Sequence, residues 1–216
     1  MAEFYLSQPE FLVPPYSFPD KPYCAASAFC TILNYHLRKL GQLGELDPES
    51  VFLKAYPDWS ETILGPSEQI IRYAELWNEG ALSSALGVEK SCYCLVEKEK
   101  LATLDSLARM KSSLGAFGPI VVEVPLYLSS FAFPFSGIFQ PISSDEKPGY
   151  LGMHLMVVDG YDDKWTSGQC LPGEGAVFVR NCWGLSWGYK GRGVLPYSYF
   201  LDERPSYFYV FKWGSR

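Results

Sequence analysis

The sequence predicts an α+β protein, with helices gathered in its first half and strands in its second. Two segments, after Pro22 and after Pro66, carry apolar residues at helical spacing. β-branched runs begin only beyond Gly118-Pro119, and this Gly-Pro step punctuates the change. Helices first and strands later point to two segregated lobes, with a boundary near residue 115.

The elements follow in chain order. The first 22 residues hold five of the 16 prolines and read as an extended lead-in. From Pro22 onward Ala25, Phe29, Leu33, Leu37 and Leu40 recur mostly four apart until Gly41. That is an amphipathic helix of about 17 residues, with a proline suited to its first turn. Pro66 to Asn78, flanked by Gly65 and Gly80, forms a second helix with Ile70, Ala74 and Trp77 on its inner face. A third runs around Asp105 to Leu114. Ile120–Val124, His154–Val158, Ala176–Val179 and Tyr207–Trp213 read as strands. Clefts between lobes are common places for active sites.

Composition narrows the function. A net charge of -6 repels phosphate backbones and argues against a nucleic-acid partner. No apolar run approaches the roughly 18 residues a membrane helix needs, so no membrane partner is expected. Met1-Ala2-Glu3-Phe4 lacks the basic, then apolar, start of a secretion signal, which reads as cytoplasmic. Six cysteines (24, 30, 92, 94, 170 and 182) without a dense framework read as free thiols. Cys92-Tyr93-Cys94 is too tightly spaced for a zinc half-site, and only two histidines exist, so no metal is expected.

Scarcity selects the chemistry. A Ser or Cys nucleophile usually needs a histidine base, and the choices are His36 and His154. His36 lies twelve residues beyond Cys24 on the same predicted helix, roughly 18 Å along its axis, which the two side chains cannot bridge. His154, at the head of an apolar strand, is the base that remains. Cys24 falls in the first turn of its helix, where unpaired N–H groups and the dipole favour a thiolate. Ala25, Ala26, Ser27 and Ala28 follow it and let other segments approach. Cys30, nearly two turns further in among Phe29, Ile32 and Leu33, reads as a core residue.

Three stretches resemble the papain-like cysteine peptidase family: Gly152-Met153-His154-Leu155-Met156-Val157-Val158-Asp159-Gly160-Tyr161-Asp162-Asp163, then Phe178-Val179-Arg180-Asn181-Cys182-Trp183-Gly184-Leu185-Ser186-Trp187-Gly188, then Gly191-Arg192-Gly193 to Phe200. Met110 through Tyr127 is similar to that family's approach to its histidine strand, and Cys24 stands where its nucleophile begins a long central helix. The resemblance implies one papain-like catalytic domain over residues 1–216. Its helical N-terminal lobe, about 1–115, would hold the central helix; its C-terminal lobe, about 116–216, would be antiparallel and β-barrel-like. It implies a thiol peptidase acting on a peptide or protein substrate through an acyl-enzyme, with no cofactor. Cys24 would be the nucleophile, His154 its base and Asn181 the residue orienting the imidazole. Trp183 would cover that hydrogen bond.

The sequence departs from this pattern at four places. Cys182 stands where the family has serine, and Ala25 where a tryptophan follows the nucleophile. The cysteine just upstream of the nucleophile is absent. An ungapped alignment puts Phe18 where the family has the glutamine that donates to the oxyanion, leaving Lys21, Ser17 and Gln8 as nearby polar residues. Pro22-Tyr23-Cys24 with Ser27 is also similar to phytochelatin synthases, which implies a papain-fold acyltransferase or transpeptidase as the alternative. A weakened peptide-binding homologue is the reading to which the lost glutamine points.

Overall fold

Helix formation starts at Cys24 in the computed structural model, which describes residues 3–5, 10, 12–17, 22–42, 45–57, 65–88, 90, 92–128, 137–139, 149–166, 175–201 and 206–214. Gln8, Phe18, Lys21 and Cys170 lie outside the described residues. Helix α1 (Cys24–Lys39) is buried at every position from Ala25 to Leu37. It is the central helix the family resemblance implies, enclosed by α2 (Pro48–Ala55), α3 (Pro66–Asn78) and the sheet, so its burial extends beyond the one apolar face its spacing marks. Two of its polar interior residues are satisfied locally: Thr31 Oγ1 donates to the Ser27 carbonyl at 2.8 Å, and Asn34 bonds the returning chain. Asn34, fully buried, accepts from the Leu46 N–H at 2.9 Å and donates to the Leu46 carbonyl at 3.1 Å, which pins the returning chain.

Helix α3 has the bounds its proline and flanking glycines predict. Two short helices carry too few turns to show a period: α2, capped by Asp47 accepting from the Ser50 N–H, and α4 (Ala81–Leu86), set between left-handed Gly80 and Gly87. Helix α5 (Leu104–Phe117) is opened by a Thr103–Ser106 capping box. It ends at Gly118, whose φ of +92° disfavours any side chain and where a Cβ would lie 2.9 Å from the Tyr35 ring.

Seven strands form one antiparallel sheet: β1 (Glu3–Tyr5), β2 (Tyr93–Leu101), β3 (Ile120–Tyr127), β4 (Tyr150–Asp162), β5 (Ala176–Arg180), β6 (Arg192–Pro196) and β7 (Ser206–Gly214). Their order is β2-β7-β3-β4-β5-β6, with β1 against the end of β4. The fold is α+β, as the sequence predicts, but the sheet is not closed into a barrel: among the described residues β2 and β6 are its edges. Both faces are covered without closure. Val121, Leu155, Val157, Tyr209 and Phe211 pack with α1 and α3; Val122, Val124, Met156, Val158, Phe208 and Val210 pack with Leu107, Met110 and Leu114 of α5. Strand β3 is accordingly buried along its whole length. Strands β2 and β6 are missed by the sequence reading, because β2 runs from four apolar or aromatic residues into four consecutive charges with no alternation, and β6 is five residues beside a glycine-rich turn. No helix among the described residues is long and apolar enough to cross a membrane.

His36 lies on α1 far from Cys24, as its position predicts, but it is a buried residue. Its ring packs on Trp213 with centroids 4.9 Å apart, its Nε2 has no hydrogen-bond partner, and burial pushes its pKa down to about 3. His154 is likewise pushed down by burial, to about 4. Both values lie below the unfolded value near 6.5, so between them the unfolded chain binds more protons. Stability is then complete above pH 6.5 and falls on acidification toward pH 3, at about 1.4 kcal/mol per unit for each histidine. Urea melts at pH 7.5, 6 and 5 will show a falling midpoint, and His36→Phe will flatten the fall; a midpoint independent of pH above 5 contradicts it.

Candidate active site

The polar residues expected to act together come from three elements. Cys24 is the first residue of α1, behind Tyr23, whose carbonyl accepts from the Ser27 N–H at 2.7 Å. His154 lies on β4, directly opposite Val124 of β3. Asn181 follows β5, its own N–H held by the Gly191 carbonyl at 3.0 Å.

His154 and Asn181 meet. His154 Nε2 and Asn181 Oδ1 are 2.8 Å apart, both residues being buried. The same Oδ1 accepts from the Cys182 N–H at 2.8 Å. A backbone N–H donates only, so this atom is the amide oxygen, and the imidazole proton sits on Nε2. Nδ1 is left as the basic nitrogen of the neutral ring. Trp183 stacks on the imidazole at 5.0 Å and 26°, and meets Trp187 edge-on at 5.6 Å. The ring is thus held by one hydrogen bond and one face.

Cys24 packs against the same strand. Burial is the largest influence on its thiol and pushes its pKa up; the N–H groups of Leu155 and Ala25 oppose this, and the charge of Glu123 adds to it. The thiolate-favouring N–H groups expected at a helix start are present, but burial outweighs them. Leu155 is the residue after His154, so Cys24 is brought to the strand that carries the base. A small cavity of about 10 Å³ beside Cys24 is lined also by Ser27, Met156, Asn181 and Cys182. Two buried polar atoms along it, Ser27 Oγ and Asn181 Nδ2, have no hydrogen-bond partner.

The lead-in segment is fastened beneath the site. Ser17 bridges Trp183, the Gly184 N–H donates to the Tyr16 carbonyl at 3.0 Å, and Arg180 Nη1 donates to the Val13 carbonyl at 2.9 Å. Gly184, at φ +84°, leaves 2.5 Å between a Cβ position and Ser17 Oγ, so only glycine fits.

One group near the site is missed in the sequence reading. Glu123 stands opposite Leu155 on β3, is buried, and accepts from the Tyr209 hydroxyl at 2.5 Å, with Lys98 at 3.9 Å. Tyr209 also pairs with Ser67 in the first turn of α3, which links the sheet to the helices. The signal was one charged residue inside the β-branched run 120–124. Five cysteines (24, 30, 92, 94 and 182) are free thiols, as expected. Among the described residues no group of His, Cys, Asp and Glu is arranged to hold a metal ion.

This fold is that of the papain-like cysteine peptidases. No family model matches the sequence, and no curated protein matches it; the likeness is one of structure. Xylellain, a cysteine protease from Xylella fastidiosa, superposes with a TM-score of 0.72 at 14% identity, over 97% of this chain and 85% of its own. A procathepsin B from Trypanosoma congolense gives 0.63 at 12% identity, over 99% of this chain and 77% of its own. A clostridial cysteine protease after propeptide cleavage gives 0.68 at 13% identity over the whole of this chain, which spans 58% of that protein.

Proposed function

We propose that residues 1–216 form a single catalytic domain of a cysteine-type peptidase or amide hydrolase, with Cys24, His154 and Asn181 as its catalytic residues. The observation that carries this reading is the imidazole of His154, its Nε2 bound to Asn181 and capped by Trp183, on the strand whose next N–H reaches Cys24.

In this mechanism His154 Nδ1 takes the Cys24 proton as the sulfur attacks a substrate carbonyl. Burial disfavours the thiolate and the imidazolium separately, so the two charges are best formed together as an ion pair. The free N–H groups at the start of α1 face the oxyanion, and the proton on His154 passes to the leaving amine. Water then hydrolyses the thioester, with His154 as its base. Asn181 keeps Nδ1 the basic nitrogen through every step. A peptide or protein substrate suits a cleft between helices and sheet; no cofactor takes part.

Alkylation tests the pair. Iodoacetamide is expected to label Cys24 faster in the intact protein than in His154→Ala, with equal rates counting against the pair. Product masses with and without an added amine separate hydrolysis from acyl transfer. Failure of a peptide chloromethyl ketone to label Cys24 would favour a peptide-binding homologue. Asn181→Ala frees the imidazole, and we expect about a 10²-fold fall in kcat with KM little changed; a change in KM alone would contradict the orienting role.

A further inference from the structure

We propose that Cys182 is a resolving thiol for Cys24, so that attack by a hydroperoxide on the nucleophile ends in a reversible Cys24–Cys182 disulfide. The inference rests on Cys24 being the reactive thiol of the proposed mechanism, and on three observations about its neighbour.

The first is place. Cys24 and Cys182 line one cavity, at the point where the start of α1 meets the turn after β5. Cys182 follows Asn181, so the residue that binds His154 brings a second thiol to the same spot.

The second is mutual influence. Burial raises the Cys182 thiol, and the charge of Cys24 is the next largest cause. Of the other described cysteines, Cys30 is fully buried nearly two turns into α1, and Cys92 and Cys94 are buried beside Trp77 and Asn78. Neither group lines the cavity.

The third is freedom. What Cys182 gives Asn181 is its backbone N–H, not its sulfur. The sulfur is not what binds Asn181, and Cys24, half-buried, is the more exposed member of the pair.

The chemistry balances. The Cys24 thiolate attacks one peroxide oxygen, the O–O bond breaks, and Cys24 sulfenic acid and an alcohol (or water) are formed. Cys182 then gives its proton to His154 Nδ1 and its sulfur attacks the Cys24 sulfur. The S–O bond breaks, and the departing hydroxide takes that proton and leaves as water. Two thiols have lost two electrons and the peroxide has gained them. Cys182 is protonated at rest, held so by burial, so it does not compete for the peroxide. Without it, the sulfenic acid remains open to a second peroxide and to irreversible sulfinic acid.

The test treats the full chain with a few equivalents of hydrogen peroxide, blocks remaining thiols, and maps peptides by mass without reduction. We expect a Cys24–Cys182 linked peptide, the loss of iodoacetamide labelling at Cys24, and full return of labelling after dithiothreitol. In Cys182→Ser, and in Cys182→Ala should the first fold poorly, Cys24 is expected to advance to sulfinic acid. Labelling then stays lost after dithiothreitol, relative to each variant's own untreated level. Sulfinic Cys24 at equal rates in wild type and variants, or a disulfide from Cys24 to another cysteine, overturns the proposal. A linked peptide in a chain that hydrolyses no amide leaves this inference standing and removes the proposed function; an active enzyme with no linked peptide does the reverse.

Discussion

Replacing Cys24 by alanine is expected to lower kcat/KM for any amide substrate by at least about 10³-fold. The loss is large because no other group can carry the acyl intermediate: Cys182 is buried with its thiol pushed far up, and Ser27 lies a turn inside α1. His154→Ala is expected to fall almost as far, since it removes the base proposed to make Cys24 nucleophilic. The two act as a unit, so the double variant should be no slower than Cys24→Ala alone. Steady-state assays on a quenched peptide substrate read all three. A Cys24→Ala rate within about tenfold of wild type would assign the chemistry elsewhere.

Asp159→Ala will be the most damaging substitution outside the site. Its carboxylate is buried and accepts from Arg180 at 2.7 Å and Arg192 at 2.6 Å through the same Oδ2. Removing it strands Arg180, whose side chain is only 12% exposed, as an unpaired charge behind Asn181. Such a loss costs about 3–5 kcal/mol, a fall in Tm on the order of 10 °C for a domain of this size. Arg192, 39% exposed, is more solvent-screened, so Arg192→Ala should cost no more than about 1 kcal/mol. Arg180→Met added to Asp159→Ala should recover part of the stability by removing the stranded charge. Thermal melts of the three proteins decide this, and an Asp159→Ala melt within 2 °C or so of wild type would show that the carboxylate contributes little net.

Much of the fold is legible along the chain because its signals are local. Pro66 with its flanking glycines bounds α3, and Pro22 opens α1 two residues before Cys24. The β-branched runs after Gly118-Pro119 become β3, β4, β5 and β7. What escapes is set by pairing. Strand β2 reads Tyr93-Cys94-Leu95-Val96-Glu97-Lys98-Glu99-Lys100-Leu101, an edge strand rich in charge, and among the described residues its pairing partner is β7, more than a hundred residues away. No periodicity in a single segment encodes such a partner.

The site divides the same way. By its residue types and the helix arithmetic that separates His36 from Cys24, the sequence alone leaves His154 as the histidine expected to serve Cys24. The motif around Asn181-Cys182-Trp183-Gly184 names the residue expected beside it. Only the tertiary structure decides which imidazole nitrogen is basic, because that depends on the Cys182 N–H orienting the Asn181 amide. Only it shows that burial pushes the Cys24 thiol up rather than down, and that Cys182 shares its cavity. Residue identity and helix position are local properties of the chain, whereas desolvation and proximity are sums over segments that meet only when the chain has folded.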